Sequence, residues 1–340
     1  MELRKQDTIA IKGIAICLML WHHLFLRTVE FGNVAHSLAQ VFKVCVALFL
    51  FVSGYGLTKQ YFKLEKPYFK NTVKFLLKRY INFFLPYWFC FALVVLVGNL
   101  AGFTFQDAYP ASRNMMKCFL LDALGLMGWE SYLTTWWFNK MILQLYLVFP
   151  LLYLLVRNKN VALVSLAAVA VMQLNALSLP GHVFCVVEGG IPAFFMGMMV
   201  SKHQLLPKAD GKTKRIVAII VSVLLCGGLS MLHQSGIKAY YAILIRAVLA
   251  VVIVYLYSST VNGFAPIRYV GQFATTMYLV HTLIQILIPK VVYAPKYPVL
   301  IFLLFFSMSL VVAMLNNYLQ KLIRYDKLQD FVLDKVNRIL

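Results

Sequence analysis

Residues 12–24, KGIAICLMLWHHL, form an apolar run with a lysine at its start and two consecutive histidines near its end. With the residues that flank it, the run is long enough to cross the hydrocarbon core of a membrane as a helix, which takes about 20 apolar residues. No small-residue cleavage site follows it, so we predict a retained first transmembrane helix rather than a signal peptide. Ionisable side chains inside a bilayer are costly, and they mark candidate functional sites.

The composition of the whole chain is that of a polytopic membrane protein. Of its 340 residues, 61% are hydrophobic and 13% are charged, whereas soluble domains carry about 25% charged residues. We predict an all-α fold of about ten transmembrane helices, in a single domain over residues 1–340. The predicted segments lie near residues 8–26, 38–58, 80–101, 136–156, 161–178, 183–201, 216–233, 240–260, 267–288 and 298–318. The run 114–128 is too short to span and contains Asp122, which predicts an interfacial or re-entrant piece.

Charge and cysteine content argue against two other classes of function. The net charge is +20, but nucleic-acid binding requires a solvated basic patch, and these basic residues form short clusters between apolar runs. With both termini cytoplasmic, most of the 32 Lys and Arg residues fall in cytoplasmic segments, as the positive-inside rule expects. Membrane lipids are therefore the expected partners, and no nucleic acid. The six cysteines have no metal-ligand spacing, so neither a metal site nor a disulfide framework is predicted.

The three ionisable residues of the first helix lie on two different faces of that helix. On a helix that turns about 100° per residue, Lys12 and His23 differ by about 20° in angle and by about 16.5 Å along the axis. His22 is rotated away from Lys12 by roughly 80°. Lys12 either extends to the membrane interface or serves a ligand. His23 is either satisfied by an interhelical hydrogen bond or acts as a general base, because imidazole titrates near neutrality.

A second group of candidates lies near the cytoplasmic ends of the next two predicted helices. Lys78 and Arg79 form a cationic pair that either anchors a phosphate-bearing ligand or reflects the positive-inside charge of the loop. Ser53, Gly54 and Gly56 interrupt an apolar helix, a pattern that most often serves close helix packing. Both interpretations of the cationic pair stay open.

Polar and aromatic side chains of two later helices form a third group. Trp137 and Gln144 are seven residues apart and share a helix face. Trp137 is either a belt residue at the membrane interface or part of a binding site. His281 follows Tyr278 by three residues, so the two are neighbours on their helix. His281 lies at a depth similar to that of His23, which is consistent with a shared polar cavity.

Glu188 is the one clear carboxylate within a predicted transmembrane helix. A charge inside a bilayer is stabilised by a partner of opposite sign. Arg246 and Lys140 are the candidate partners of Glu188, so a structural charge pair is the expected role of this carboxylate.

The order and spacing of these motifs resemble the acyltransferase-3 family of multi-pass bacterial membrane acyltransferases. Lys12 and Gly13 are followed by a histidine eleven positions after the lysine, which is the first similarity. The other similar stretches are LFLFVSGYGL, LKRYINFFLPYW, WWF with YLVFPLLY after it, PAFFMGMM and YVGQFATTMYLVHTLI. They occur in family order from the first to the ninth predicted helix, so the resemblance covers nearly the whole chain.

The resemblance implies transfer of an acyl group, commonly acetyl from acetyl-CoA at the cytoplasmic side, to a hydroxyl of a cell-surface glycan or lipid-linked sugar. It places the protein in the bacterial cytoplasmic membrane, with acyl-CoA as a donor substrate and no permanently bound cofactor. His23 takes the position of the family's catalytic histidine, and Lys12 that of its preceding basic residue. Asn82 stands where the family's second basic motif often ends in arginine, which weakens the assignment of that motif. No catalytic acid is assigned before Tyr146.

Roles follow for the remaining candidates. Lys78, Arg79 and Ser53 are assigned to donor binding. The residues assigned to acceptor binding or to the oxyanion are His281, Tyr278, Trp137 and Gln144. The alternatives are a transporter or exporter of a polysaccharide or lipid-linked sugar, and a membrane sensor or scaffold.

Overall fold

The computed structural model describes a helical chain. The described residues are 2–62, 69–110, 114–173, 190–206, 211–234, 239–260 and 264–339. Their helices are α1 (Lys5–Phe25), α2 (Asn33–Phe42), α3 (Val44–Phe62), α4 (Phe69–Leu100), α5 (Phe105–Ala108), α6 (Met115–Ala123), α7 (Trp137–Val156), α8 (Lys159–Gln173), α9 (Ile191–His203), α10 (Lys212–Gln234), α11 (Ala239–Thr260), α12 (Ala265–Leu287), α13 (Pro289–Val292), α14 (Pro298–Leu322) and α15 (Tyr325–Ile339). A 3-10 turn at Thr134–Trp136 precedes α7. This architecture confirms the all-α class.

Each of the ten predicted segments overlaps a helix. In the described ranges, six stretches are long and apolar enough to cross a membrane, and they are Lys5–Phe25, Asn33–Phe62, Phe69–Leu100, Thr134–Val156, Lys212–Met231 and Pro298–Leu322. Two shorter apolar helices cover Lys159–Ala170 and Ala242–Ser258. The chain is therefore a multi-pass helical membrane protein. Ten crossings and two cytoplasmic termini stay predictions.

Two helix boundaries differ from the sequence-based ones. The predicted helix 38–58 is two helices, α2 and α3, which meet at Lys43. Helix α4 begins at Phe69 rather than near residue 80. Hydropathy detects only the apolar part of α4, whereas its first turns contain Lys, Leu and Arg, which are good helix formers without being a membrane-spanning sequence. The short α6 agrees with the non-spanning piece predicted over 114–128.

By internal contacts the chain divides into two compact units. The first contains Met1–Lys63, Leu151–Ala274 and Tyr297–Phe302, and the second contains Leu64–Pro150, Thr275–Lys296 and Leu303–Leu340. Each unit is built from separate stretches of sequence. The single membrane domain stays a prediction.

Glycines allow the helices of the first unit to pack closely. A methyl group on Gly54 of α3 would overlap the backbone oxygen of Phe194 in α9, and one on Gly197 of α9 would overlap the backbone oxygen of Phe51. Small residues permit such close approach of helix backbones within membranes. The packing role predicted for the glycines around Ser53 is therefore confirmed for Gly54.

Glycines also allow α1 to pack closely against α12. A methyl group on Gly13 would overlap the backbone oxygen of Ile267 in α12, and one on Gly271 would overlap the backbone oxygen of Ile9. Gly13 directly follows Lys12, so this contact fixes the helix turn on which the lysine stands.

In the second unit, the C-terminal helix α15 packs along the first half of α4. Tyr325 Oη donates to the carbonyl oxygen of Leu85 over 3.0 Å, and Lys74 Nζ donates to the carbonyl oxygen of Asn337 over 3.0 Å. These contacts hold α15 near both ends. The segment was not among the predicted helices, because its apolar residues follow an amphipathic pattern rather than a continuous run.

Candidate active site

The two consecutive histidines of α1 have different environments. His22 is buried, and its Nδ1 lies 2.6 Å from the carbonyl oxygen of Ala39 in α2. A carbonyl oxygen only accepts, so His22 Nδ1 carries the proton and donates. His23 is half-buried, and its ring centroid lies 5.1 Å from that of His22. The structure therefore gives His22 a partner in the fold and places His23 beside it.

Two further contacts attach the end of α1 to α2. Trp21 Nε1 donates to the carbonyl oxygen of Ala35 over 3.2 Å, and His36 Nδ1 donates to the carbonyl oxygen of Phe25 over 3.1 Å. The α1–α2 corner is thus held by three aromatic or imidazole nitrogens on backbone carbonyls. This corner fixes the turn of α1 that contains His23.

Lys12 and His23 stand on one continuous helix, as predicted. Because α1 is continuous from Lys5 to Phe25, an eleven-residue separation places them about 16.5 Å apart along the axis and about 20° apart in angle. Both side chains are half-buried. Ser53, the donor-binding candidate of this unit, is half-buried in α3 next to the closely packed Gly54.

The cationic pair predicted for donor binding lies on α4 in the second unit. The guanidinium carbon of Arg79 lies 5.6 Å from the centre of the Tyr146 ring, a cation–π distance. Within the described part of the chain, the buried Nε of Arg79 has no hydrogen-bond partner. Lys78, its neighbour, is half-buried. An arginine that rests on an aromatic face and still has an N–H group available to donate suits an anionic ligand such as a phosphate.

The departure from the family pattern at Asn82 has a structural counterpart. Gln329 Nε2 of α15 donates to Asn82 Oδ1 over 2.8 Å. The position often held by the family's last arginine therefore makes a neutral contact between helices. An arginine there would lose this amide pairing.

His281 and Tyr278 are both buried in the second unit. His281 Nδ1 lies 2.8 Å from the carbonyl oxygen of Tyr278 and 3.1 Å from that of Met277. Its Nε2 lies 3.2 Å from Thr282 Oγ1, which in turn lies 2.8 Å from Thr135 Oγ1. With Nδ1 donating to carbonyl oxygens, Nε2 of the neutral ring is the acceptor. The imidazole is thus connected through two hydroxyl groups to the 3-10 turn.

The same turn binds α12 at two more points. Tyr278 Oη donates to the carbonyl oxygen of Thr135 over 2.9 Å, and Trp136 Nε1 donates to that of Leu279 over 3.1 Å. His281 and Tyr278 therefore have packing partners, and their acceptor role stays a prediction. Sequence reasoning did not identify Thr282 and Thr135, which connect His281 to the 3-10 turn, because a hydroxyl group in an apolar segment carries no distinctive signal.

Trp137 is buried, and its ring stacks on that of Trp129 with centroids 4.6 Å apart and an angle of 23° between the planes. One face of the indole is covered by this partner. Gln144, on the same helix, is half-buried. Stacking of Trp137 on a sugar is limited to its other face, and the role of both residues stays a prediction.

A family model described as an acyltransferase domain matches residues 8–317. The chain belongs to this acyltransferase family. The match begins within α1, extends into α14 and includes each residue assigned above, from Lys12 to His281. Comparisons with curated proteins and with solved structures gave no match. Family membership makes acyl transfer the chemistry of this membrane protein. Helix α15 lies after the matched range, whereas Asn82, which its Gln329 contacts, lies within that range.

One buried carboxylate of this acyltransferase was not assigned from the sequence. Asp122 is 1% exposed, and its Oδ2 accepts the Tyr109 hydroxyl over 2.8 Å and the backbone N–H of Tyr132. Burial raises the pKa of Asp122 to about 6, and the hydrogen bonds from Tyr132 and Tyr109 oppose that shift. A single acid within the apolar run CFLLDALGLM was the available sequence signal. Tyr132 starts the segment that leads to the 3-10 turn, so Asp122 fixes the approach to that turn.

Glu188 lies outside the described residues, so its charge pair with Arg246 or Lys140 stays a prediction. Arg246, its candidate partner, is half-buried on α11 in the first unit. The Nε of Arg246 is buried and has no hydrogen-bond partner among the described residues.

Proposed function

We propose that this acyltransferase moves an acetyl group from acetyl-CoA to a hydroxyl of a cell-surface or lipid-linked glycan. In this proposal the protein lies in the bacterial cytoplasmic membrane, with both termini on the cytoplasmic side. The family membership supports acyl transfer. The observation that carries the assignment of the base is the position of His23, which is half-buried on the helix face of Lys12. The adjacent His22 joins α1 to α2 through the Ala39 carbonyl.

In the proposed step, the acceptor hydroxyl oxygen attacks the carbonyl carbon of the thioester. His23 removes the hydroxyl proton as the new C–O bond forms, and general-base assistance of this kind contributes about 10²–10⁴-fold. The C–S bond then breaks, and the proton passes from His23 to the departing thiolate of coenzyme A. The products are an O-acetyl ester and free coenzyme A, and His23 returns to its neutral form.

Donor binding is proposed for two sets of side chains, and each set is described within its own unit. In the first unit, Lys12 lies about 16.5 Å along the helix from His23, a separation that suits a donor with a charged end and a reactive end joined by a long arm. Ser53 is the polar side chain of α3 proposed to assist. In the second unit, Arg79 and Lys78 are proposed to bind donor phosphates, and the donor capacity of Arg79 Nε supports this role.

His281, Tyr278, Trp137 and Gln144 are proposed to position the acceptor or the oxyanion. In the structure, Tyr278 Oη donates to the Thr135 carbonyl of the 3-10 turn, and His281 reaches that turn through the hydroxyl group of Thr282. Their proposed contribution is to set the position of α12 and of the turn, so substitution at His281 should alter acceptor use as well as stability.

The experiment compares surface glycan from cells that lack the gene and carry either the wild-type gene, a Lys12→Gln variant or an empty vector. Mass spectrometry of the isolated polymer should show acetyl groups with the wild type, fewer with Lys12→Gln and none with the vector, at equal amounts of polymer. Loss of the polymer from the surface, with unchanged acetylation of what is left, would identify an exporter and contradict the proposal.

A further inference from the structure

An exposed tryptophan of the second unit lies between α6 and the 3-10 turn. Trp129 is 49% exposed, and its ring stacks on that of Trp137, which is only 7% exposed. The Trp137 ring is therefore almost wholly covered, whereas Trp129 keeps an accessible ring surface. A tryptophan side chain presents a large apolar surface together with one N–H donor. Of the two stacked rings, Trp129 is the one that has surface available for a ligand.

Hydrogen bonds hold the backbone around Trp129 in place. The backbone N–H and the hydroxyl group of Ser131 both donate to the carbonyl oxygen of Gly128, which closes a turn around the tryptophan. The backbone N–H of Tyr132 donates to the buried Asp122 carboxylate. The tryptophan therefore stands on a fixed turn and its ring on a fixed partner, so little conformational entropy is lost when a ligand binds.

Two polar groups accompany the accessible ring surface. Glu130, the next residue, is exposed. Among the residues that the structure describes, none makes a hydrogen bond or an ion pair with the Glu130 carboxylate or with the Trp129 indole N–H. Tryptophans also form belts at membrane interfaces, but a carboxylate on the adjacent residue is costly to place in a bilayer. Glu130 therefore favours a ligand from the aqueous phase over lipid.

We propose that Trp129 and Glu130 bind an uncharged sugar residue of the acceptor glycan. The identification of the ligand as the acceptor rests on the proposed function. The C–H face of a sugar ring is apolar and packs on the accessible indole surface. Sugar hydroxyl groups donate to the carboxylate, which only accepts, and one hydroxyl oxygen accepts the indole N–H. Trp137 is then a positioning residue that supports the Trp129 ring.

The charge of the site selects among sugars. Hydrogen bonds from hydroxyl groups to a carboxylate are stronger than those between neutral groups, whereas a phosphate or an acidic sugar brings a second negative charge beside Glu130, and like charges repel. Trp137 begins α7, the helix that contains Gln144. The sugar site therefore adjoins residues already proposed for the acceptor, within one unit.

The test measures binding of soluble sugars to the purified full-length protein by saturation-transfer-difference NMR, in a detergent without a sugar head group. The probes are glucose and galactose, each compared with its own uronic acid, glucuronate or galacturonate. At least one neutral sugar should bind the wild type, and it should bind more tightly than its uronic acid. Trp129→Ala should weaken this binding by about tenfold or more. Glu130→Gln should weaken it by about threefold or more and remove the preference for the neutral sugar.

Trp129→Phe and Trp88→Phe are a matched pair of variants. Trp88 is 43% exposed in the same unit, and its Nε1 donates to the carbonyl oxygen of Ala123 over 2.7 Å. Trp88→Phe should bind the sugar as the wild type does. Trp129→Phe should bind it measurably but more weakly than the wild type, and this variant covers the case in which Trp129→Ala does not fold.

Three results would overturn the proposal: no sugar binding by the wild type, equal binding by the wild type and the Trp129 variants, or tighter binding of the uronic acids. No acyl-CoA is present in this assay. A protein that binds a neutral sugar at Trp129 but transfers no acyl group would contradict the proposed function and leave this site in place. Acetylation of the glycan by a protein whose sugar binding does not depend on Trp129 would contradict this inference alone.

Discussion

The Nδ1 nitrogen of His22 lies 2.6 Å from the carbonyl oxygen of Ala39, so one of two adjacent histidines joins α1 to α2. The neighbouring His23 differs from it by about 100° around the helix and is half-buried. Two residues of the same type, side by side in the sequence, are thereby expected to respond differently to substitution.

His22→Ala should lower the stability of the protein. The variant leaves the Ala39 carbonyl without its donor inside the α1–α2 corner, and an unsatisfied buried group costs about 1–3 kcal/mol. His22→Asn places an amide N–H near the position of Nδ1 and should recover most of the loss. Thermal unfolding in detergent measures both variants, and an unchanged melting temperature for His22→Ala would show that the Ala39 contact contributes nothing to stability.

Gly54→Ala and Gly56→Ala should have opposite effects, although the two residues share helix α3. The added methyl group at Gly54 overlaps the backbone of Phe194, whereas at Gly56 no atom lies within 4 Å. Overpacking typically costs about 1–3 kcal/mol, while replacing a glycine within a helix by alanine gains up to about 1 kcal/mol. We expect a lower melting temperature for Gly54→Ala and an equal or higher one for Gly56→Ala. Equal losses would mean that α3 and α9 do not meet at Gly54.

Asp122→Asn should become more stable, relative to the wild type, as the pH rises. Burial raises the pKa of Asp122 from 3.8 to about 6, so the folded state binds this proton more tightly than the unfolded state does. The stabilisation from this proton is fully present below pH 3.8 and is lost as the pH rises through about 6. The asparagine variant does not titrate, and its oxygen can still accept from Tyr132 and Tyr109. Melting temperatures between pH 4.5 and 7.5 test the direction.

Asp107→Asn is the matched control for this pH series. Asp107 is exposed at the N-terminus of α5, and hydrogen bonds from Thr104 lower its pKa below 3.8. It therefore stays ionised from pH 4.5 to 7.5, and the difference between Asp107→Asn and the wild type should not vary with pH. A pH-dependent difference for Asp107 equal to that for Asp122 would assign the effect to general charge rather than to burial.

Arg79→Gln should raise the KM for acetyl-CoA with a smaller effect on kcat. The variant removes the charged fork that rests on the Tyr146 ring, and charge-assisted contacts to a phosphate are worth about 1.5–3 kcal/mol, which corresponds to a tenfold or greater change in affinity. Lys74→Gln on the same helix is the control, because Lys74 Nζ is engaged by the Asn337 carbonyl. Steady-state kinetics measure both variants. Equal KM values for Arg79→Gln and Lys74→Gln would show that Arg79 does not bind the donor.

Sequence patterns predicted the helical class and the face shared by Lys12 and His23, since both depend on local periodicity. They did not predict the partner of His22, because the Ala39 carbonyl is a backbone group that any residue would provide. The division of one predicted helix at Lys43 was missed for a related reason, since apolar residues continue across the junction. Asp122 was visible as an acid in an apolar run, but its tyrosine partners come from separate segments that only the fold brings together.

The central claim is that His23 is the general base of acyl transfer. The most direct measurement is acetyl transfer to the surface glycan by His23→Ala, with His22→Asn as the control and with the amount of folded protein determined for each. The proposed mechanism predicts a loss of about hundredfold or more for His23→Ala and turnover close to that of the wild type for His22→Asn. Wild-type turnover by a folded His23→Ala protein would contradict it.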